Sequence, residues 1–259
     1  MHKLRHDIPR TASRIWSNGL FDLSLIALAF MIYSIVRTWS ADRQIEATYN
    51  AVDLVNFERS LYIGYEAQVQ SLILWSEGLI HLFNSIYTYG HFWLIGATAI
   101  WLFIRHRDTY KLFRNAIFIS GAIGLVAFNV FPLAPPRLLP GDFGAVDTLR
   151  LFSSVNYENS GSFVNEYAAI PSLHVAWNML ICLAIASCVR NPLVRGWAVL
   201  MPLLMSVTVV VTGNHWILDC IAGYVIGMTG LGLAVFARNE SWRVRELFAG
   251  AFRSPAPAA

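Results

Sequence analysis

The chain is poor in charged side chains. Only 14% of its 259 residues are charged, whereas about a quarter of the residues are charged in soluble domains. Hydrophobic residues make up 56%, and the mean hydropathy is +0.50. This composition excludes an ordinary soluble globular protein and indicates an integral membrane protein.

Cysteine is also scarce. The chain has three cysteines, none of them in a CxxC or metal-ligand spacing, so the sequence predicts no disulfide framework. All three lie in apolar runs, where cysteine behaves as a small hydrophobic side chain. They are Cys182, Cys188 and Cys220.

Long apolar runs are abundant. A helix needs about 20 apolar residues to cross a bilayer, and six runs meet or approach that length. We therefore predict an all-α polytopic bundle in a single membrane domain, 1–259. The first run exceeds the apolar core of a signal peptide and lacks a clean cleavage site after it, so it counts as a span. The predicted spans are 20–36, 75–104, 112–131, 171–189, 194–212 and 215–236.

Lysine and arginine are distributed unevenly along the chain. With both termini inside, most of the 19 fall in cytoplasmic segments. The positive-inside rule therefore predicts cytoplasmic termini and two long outer segments, 41–74 and 132–170. The compact chain favours a bacterial plasma membrane. The basic residues on the outer side are Arg37, Arg43, Arg59, Arg137 and Arg150.

The first outer segment, 41–74, is too polar to span a membrane. Its apolar residues repeat at helical spacing, which predicts one or two helices at the membrane interface. The region around Gly64 is expected to break them. We expect Glu58 and Glu66 on the water-facing side of these helices, with lipid-headgroup contact as the alternative.

Ionisable residues from three distant segments fall at the same predicted membrane face. His174 lies at the outer end of the fourth predicted span, and His215 and Asp219 lie at the outer end of the sixth. Arg137 begins the outer loop after the third span. Ionisable groups are costly near a membrane interior, so these residues are functional candidates.

The spacing of these residues predicts phosphoryl-transfer chemistry. His215 and Asp219 are four residues apart and share a helix face, so the carboxylate can orient the imidazole and leave its other nitrogen as nucleophile or base. Free amides at the helix start near Ser172 would attract an anion, with His174 as proton donor. Arg137 adds a guanidinium that matches phosphate. No acidic cluster for two metals accompanies them, so we expect no metal ion and no cofactor.

At these residues the sequence resembles the type 2 phosphatidic acid phosphatase superfamily. The matching motifs are PPR with Arg137, PSLH at 171–174, and HWILD at 215–219. They lie within 132–236, and the resemblance covers roughly the third to the sixth span. It implies that His215 is a nucleophile that forms a phosphohistidine, that Asp219 orients it, and that His174 is the acid.

The sequence departs from the superfamily pattern at three positions. Leu173 replaces the glycine of PSGH, while Val130 and Val209 replace an expected lysine and arginine. With these changes the chain looks more like the inositol phosphorylceramide synthase-like branch, whose members move a phosphoryl headgroup between lipids. The residues that could bind the substrate phosphate alongside Arg137 are Ser172, Asn214 and Arg150.

A second line of polar residues follows the second predicted span. Steps of three and four residues place Glu77, His81, Asn84, Thr88 and His91 on one stripe, with Tyr87 beside it. One interpretation is a wall of the substrate pocket. The alternative is hydrogen bonding between helices that fixes the bundle. The candidate pocket residues are Glu77, His81, Tyr87 and His91.

The favoured function is a lipid phosphotransferase or phosphatase at the extracytoplasmic face. Inositol-phosphate-type headgroup transfer is favoured over hydrolysis of a lipid phosphate monoester. A non-enzymatic lipid-binding protein or a small transporter is the alternative of another class, because intramembrane Glu and His also occur in transporters. The expected partners are a membrane lipid substrate and a polyol or sugar acceptor, without nucleic acid. The sequence leaves the oligomeric state open.

Overall fold

The protein is all-α wherever its structure is described. The computed structural model describes residues 10–38, 43–139, 141, 145–152 and 166–251. In these ranges there is no β-strand, and Leu133 and Ala168 form an isolated bridge. The rest of the predicted outer segment 132–170 lies outside them. The helices are α1 (Arg10–Thr38), α2 (Gln44–Ser60), α3 (Glu66–Leu74), α4 (Glu77–Ser85), α5 (His91–Arg105), α6 (Arg107–Val130), α7 (Thr148–Phe152), α8 (Leu173–Cys188), α9 (Pro192–Val211) and α10 (Ile217–Ala251).

Four of the described helices are long and apolar enough to cross a membrane, which identifies an integral membrane protein. The predicted count of six spans is not confirmed. Helix α8 is apolar but has only 16 residues, and the predicted second span is divided into shorter helices. The four apolar stretches are Gly19–Val36, Arg107–Val130, Pro192–Val211 and Ile217–Asn239.

The predicted second span is divided by a π-helix. Helix α4 leads into a π-helical turn, Ile86–Gly90, and α5 follows at once. The backbone is therefore helical from Glu77 to Arg105, close to the predicted 75–104. A π-turn widens the helix locally and is frequent at functional sites. Here it directly precedes His91.

Helices α6, α8, α9 and α10 form the packed centre of the bundle. Helix α10 packs against α6 and α8, and α8 also packs against α9. Glycines allow α10 to approach its neighbours closely. A Cβ at Gly223 would lie 2.5 Å from the Ser172 carbonyl oxygen, and one at Gly230 would lie 2.6 Å from that of Ala116. The beginning of α10 is therefore held directly against the beginning of α8.

The bundle has two chemically different ends. The starts of α8 and α10 and the end of α9 meet at one end, where the Ser172 amide donates to the Asp219 carbonyl at 3.0 Å. We call this the His215 end. The opposite end contains a cavity of about 410 Å³ whose lining includes His106, Arg190 and Arg195. The candidate catalytic residues and this basic cavity therefore lie at different ends.

Helices α2 and α3 pack over the His215 end. They are separated near Gly64 as predicted, and Tyr62 between them has a positive φ of 59°. Apolar residues of α2, including Ala51, pack with Trp216 in one core cluster. The expectation that Glu58 and Glu66 face water was wrong, because their exposed fractions are 1% and 7%. The tertiary fold turns this polar side of the helices inward.

Candidate active site

His215 is oriented by two acceptor atoms just before α10. Its Nδ1 lies 2.8 Å from the Ala169 carbonyl oxygen and 3.3 Å from Asp219 Oδ2. Both oxygens accept hydrogen bonds, so this geometry favours the tautomer with the proton on Nδ1. The Nε2 lone pair is then available to attack an electrophile.

Asp219 is fully buried and joins two of the sequence motifs. Its exposed fraction is 0%, and its Oδ2 also accepts the Trp216 amide at 2.9 Å. Its backbone carbonyl accepts the amide of Ser172. The predicted contact between His215 and Asp219 is present, and their catalytic roles remain predictions.

His174 faces His215 from the first turn of α8. The two imidazole centroids are 6.1 Å apart. The His174 ring stacks on Tyr87 at 4.5 Å and also contacts His91 at 4.6 Å. Three segments that are distant in sequence therefore meet around His174, which lies between His91 and His215 as the residue that contacts both. A distance of 6.1 Å between the rings of His174 and His215 suits a nucleophile and a proton donor that act on one phosphoryl group.

His91 contributes a buried polar atom without a partner. Its exposed fraction is 2%, and its Nδ1 has no hydrogen-bond partner among the described residues. The hydroxyl of Thr88, one turn earlier, has none there either. An unsatisfied buried polar atom is costly and calls for an explanation, a catalytic role among them. Its contact with His174 places His91 within the candidate site.

Arg137 is held beside His215 by its side chain and its backbone. Its Nε donates to Asn214 Oδ1 at 3.0 Å, and a terminal nitrogen donates to Asp147 Oδ2 at 3.3 Å. Its amide donates to the carbonyl of Gly213, whose φ of 72° suits glycine. The guanidinium is therefore oriented within the site, and phosphate binding by Arg137 and Asn214 remains a prediction.

The start of α8 offers backbone amides for an anion. Ser172 is buried, its hydroxyl accepts the Val175 amide at 3.5 Å, and its own amide is used by Asp219. The next two amides, those of Leu173 and His174, have no acceptor within the helix because they belong to its first turn. The Ser172 amide is thus not free for an anion, and anion binding by the amides of Leu173 and His174 remains a prediction. Phosphate contact by Ser172 remains a prediction.

The two valines at the expected cation positions have different environments. Val209 is fully buried in a core cluster, whereas Val130 is exposed at the end of α6. Arg150 lies on α7, where its amide donates to Asp147. Within the described ranges, no group of three or more His, Cys, Asp or Glu side chains is arranged to hold a metal ion. A metal-independent reaction remains a prediction.

The polar line on the second predicted span does not act as one surface. Asn84 exchanges hydrogen bonds of 2.9 Å with Thr148, in agreement with a role in fixing helices. Tyr87 and His91 reach His174, while Glu77 and His81 are exposed. His81 contacts the ring of Phe152 instead. About 21 Å of helix separates Glu77 from His91, so one stripe cannot converge on one group.

Sequence reasoning missed two kinds of contact in the site. The Ala169 carbonyl is a backbone group and leaves no motif in the sequence. Glu58 and Glu66 accept the amides of Leu218 and Ile217 at 2.8 and 3.0 Å. Two acids in a half-apolar segment indicate a possible polar contact. Helical spacing alone, however, does not show which side of α2 and α3 is covered by other helices.

Comparisons with known proteins found a curated relative and a solved structure that are similar to part of the chain. Among curated proteins, the uncharacterised protein MJ0662 of Methanocaldococcus jannaschii is 29% identical over 150 residues, and the match covers 58% of each chain. The chain thus matches less than two thirds of that relative's length. The crystal structure of Aquifex aeolicus LpxE is similar with a TM-score of 0.44 and 18% identity, and the match covers 61% of this chain and 84% of that one. None of these matches identifies the inositol phosphorylceramide synthase-like branch.

A family model for the PAP2 superfamily matches residues 52–233, well over half of the chain. The matched region contains all the candidate residues described above, from Glu77 to Asp219. This match confirms the resemblance of the motifs at the level of the superfamily and supports an enzymatic function. The chain belongs to the PAP2 superfamily.

Proposed function

We propose that this protein is a membrane phosphotransferase that moves a phosphoryl-linked headgroup from a phosphodiester lipid to a hydroxyl acceptor. The observation that carries the proposal is the arrangement at His215. Its Nδ1 is held by the Ala169 carbonyl and Asp219, and the centre of the His174 ring lies 6.1 Å from that of His215. This is the geometry of an oriented nucleophile beside a proton donor.

The reaction proceeds in two balanced steps. In the first, Nε2 of His215 attacks phosphorus, the bond to the leaving alcohol breaks, and His174 gives its proton to the leaving oxygen. In the second, the acceptor hydroxyl attacks the phosphohistidine, its proton passes to His174, and the P–N bond breaks. The amides of Leu173 and His174, together with Arg137, stabilise the phosphoryl oxygens.

The charge of the site favours a diester as the donor. A phosphate monoester carries about −1.5 to −2 charges at neutral pH, whereas a phosphodiester carries one. Valines occupy the two positions where the superfamily pattern has cations, and the charge of Arg137 is partly balanced by Asp147. A site with this little positive charge suits a monoanion better.

Hydrolysis of a lipid phosphate monoester is the second candidate. Membership in a superfamily of phosphatases favours it, and the chemistry differs only in the acceptor. Water would take the place of the polyol, sugar or lipid hydroxyl in the second step. Hydrolysis occurs if water reaches the phosphohistidine, and transfer occurs if the site excludes water and admits the acceptor hydroxyl.

We further propose six membrane crossings, with the His215 end on the extracytoplasmic side of a bacterial plasma membrane. Helices α4 and α5 with the intervening π-turn would form one crossing, and α8 another. The basic residues His106, Arg190 and Arg195 at the opposite end support a cytoplasmic location for that end.

The test uses purified protein in detergent, with wild type compared with His215→Ala and His174→Ala. Each is incubated with lipid phosphate monoesters and phosphodiester lipids, with and without free inositol and EDTA. Released phosphate and new lipid products are measured. We expect EDTA-resistant headgroup transfer that falls roughly a thousandfold or more in His215→Ala and roughly a hundredfold or more in His174→Ala.

His106→Ala is the matched control, because this histidine lies at the opposite end of the bundle and packs against Trp101. It should retain wild-type turnover. Phosphate release without transfer would replace the transferase assignment with hydrolysis. Turnover that survives in His215→Ala would overturn the assigned nucleophile, and lipid binding without turnover of any substrate would favour the non-enzymatic alternative.

A further inference from the structure

Three carboxyl groups surround the first amides of α10. Asp219 Oδ2 accepts the Trp216 amide at 2.9 Å, Glu66 Oε1 accepts the Ile217 amide at 3.0 Å, and Glu58 Oε1 accepts the Leu218 amide at 2.8 Å. These are amides that a helix cannot satisfy internally. The three residues that carry these amides, 216–218, come immediately after His215 in the chain.

Two of the three carboxyl groups come from other helices. Glu58 is near the end of α2 and Glu66 is at the start of α3, more than 140 residues before the amides that they bind. Both side chains are buried, and Glu58 Oε2 has no hydrogen-bond partner among the described residues. Asp219, on α10 itself, already places one carboxylate at this helix start, so the two buried acids from other helices require an explanation.

The proximity of these acids changes the ionisation of Glu58. Burial raises the pKa of Glu58 to about 9, and the nearby carboxylates of Glu66 and Asp219 act in the same direction. The hydrogen bond from the Leu218 amide lowers the pKa of Glu58, but its effect is smaller. The acidic groups that face Glu58 are Glu66 on α3 and Asp219 on α10, with the thiol of Cys220 also nearby. Glu58 is therefore protonated at neutral pH.

We infer that Glu58 and Glu66 are positioning residues for the His215–Asp219 pair. They fix the beginning of α10 and occupy the amides that would otherwise bind an anion there. The open amides at the start of α8 are then left for the substrate phosphate, beside His174. This inference rests on the proposed function and adds α2 and α3 to the machinery that orients the nucleophile.

The inference predicts a pH dependence of catalysis. As the pH rises through about 9, Glu58 loses its proton and adds a third negative charge to those of Glu66 and Asp219. Neighbouring like charges repel each other and the anionic substrate. The value of kcat/KM should therefore be maintained below pH 9 and fall above it.

The experiment compares Glu58→Gln with Glu58→Ala in the same transfer assay across pH 6 to about 10. Glutamine keeps an acceptor for the Leu218 amide and cannot ionise, so we expect the decline above pH 9 to be absent. Alanine removes the acceptor, and activity should fall about tenfold relative to Glu58→Gln at neutral pH, the size expected for one lost hydrogen bond. Glu46→Gln, an exposed acid on the same helix, is the matched control and should keep the wild-type pH profile.

A measurement that does not need turnover separates this inference from the proposed function. In protein with ¹³C-labelled histidine rings, the His215 signal, assigned by its loss in His215→Ala, should shift near pH 9 in wild type and not in Glu58→Gln. That result supports the inference even if no lipid is turned over. The inference would be overturned if wild type and Glu58→Gln showed the same loss of activity above pH 9 or the same His215 shift. Equal activity of Glu58→Ala and Glu58→Gln at neutral pH would overturn it as well. If Glu58→Ala does not fold, the glutamine variant alone decides.

Discussion

The His174 ring is packed between other aromatic rings, and one of these, that of His91, has a buried nitrogen without a hydrogen bond among the described residues. Tyr87 and His91 both contact the His174 ring, so the imidazole has little freedom to rotate. An unsatisfied buried polar atom costs about 1–3 kcal/mol, and His91 Nδ1 is such an atom. A fold selected for stability alone would place an apolar ring there. We interpret His91 as a residue retained to serve His174.

Replacing His91 with phenylalanine should separate stability from activity. His91→Phe preserves an aromatic ring and removes the unpaired nitrogen, so we expect unchanged or higher stability, by up to about 1–2 kcal/mol. Turnover of lipid substrates should fall about tenfold or more, because the proton donor is less well supported. Loss of both stability and activity, measured by thermal unfolding and product formation, would contradict this role.

The leaving group provides a check on the same prediction. p-Nitrophenol is a good leaving group that departs without a proton donor, so cleavage of a p-nitrophenyl phosphodiester should suffer less than cleavage of a phosphodiester lipid. His106→Phe, at the other end of the bundle, should affect neither substrate. Equal losses on both substrates in His91→Phe would show that His91 does not act through the acid.

At the scale of helices, the close crossing of α8 and α10 joins two motifs. Gly223 lies one turn after Asp219, and its missing side chain lets the Ser172 carbonyl approach. The Ser172 amide at the same crossing donates to the Asp219 carbonyl. The distance between His174 and His215 therefore depends on how closely these two helices approach.

Gly223→Ala should push α10 away from α8. A new Cβ 2.5 Å from the Ser172 carbonyl oxygen cannot be accommodated without backbone movement, and overpacking of this kind costs about 1–3 kcal/mol. We expect a lower unfolding temperature and reduced turnover. Gly232→Ala on the same helix has no atom within 4 Å of the new Cβ and should be neutral or stabilising by up to about 1 kcal/mol. Equal behaviour of the two variants would refute the close-crossing explanation.

At the scale of the whole molecule, the two ends of the bundle hold different groups of residues. The His215 end holds the candidate catalytic residues, whereas α1 is attached near the opposite end through Asp22, which binds Arg114 and lies 3.7 Å from Arg107. Most of the apolar side chains of α1 between Gly19 and Val36 are exposed. The superfamily match begins at residue 52, after this helix. Attachment of α1 should therefore affect stability more than catalysis.

Asp22→Asn tests this division. Loss of the carboxylate removes the ionic partner of both arginines, although Arg114 still donates to Asn115. The arginines are partly buried, and a partly buried group that loses its partner costs about 1–3 kcal/mol. We expect a clearly lower unfolding temperature with turnover retained at the permissive temperature. Asp108→Asn, an exposed acid on α6, should change stability by less than about 1 kcal/mol. A large loss of kcat/KM in folded Asp22→Asn would show that the ends are coupled.

The sequence predicted those features that depend on interactions between residues close together in the chain. Apolar runs gave helices within a few residues of the predicted bounds, as with α6 and α9, because burial in lipid or core requires a continuous apolar helix. The predicted contact of Asp219 with His215 is present, but the shared helix face that was expected to produce it is not. Helix α10 begins at Ile217 rather than at the predicted 215, since the side chain of Asp219 binds the Trp216 amide and His215 stays outside the helix.

The amino-acid sequence by itself determined the membrane class, the helical elements and the histidines and aspartate of the motifs, because composition and periodicity act over a few turns. Only the tertiary structure decided which partners these groups have. The Ala169 carbonyl reaches His215 across 46 residues, and Glu58 reaches Leu218 across 160. Such contacts depend on how helices cross and on which side of α2 and α3 is covered. The sequence does not reveal this, because helical spacing is the same whether a polar face meets water or the amides of another helix.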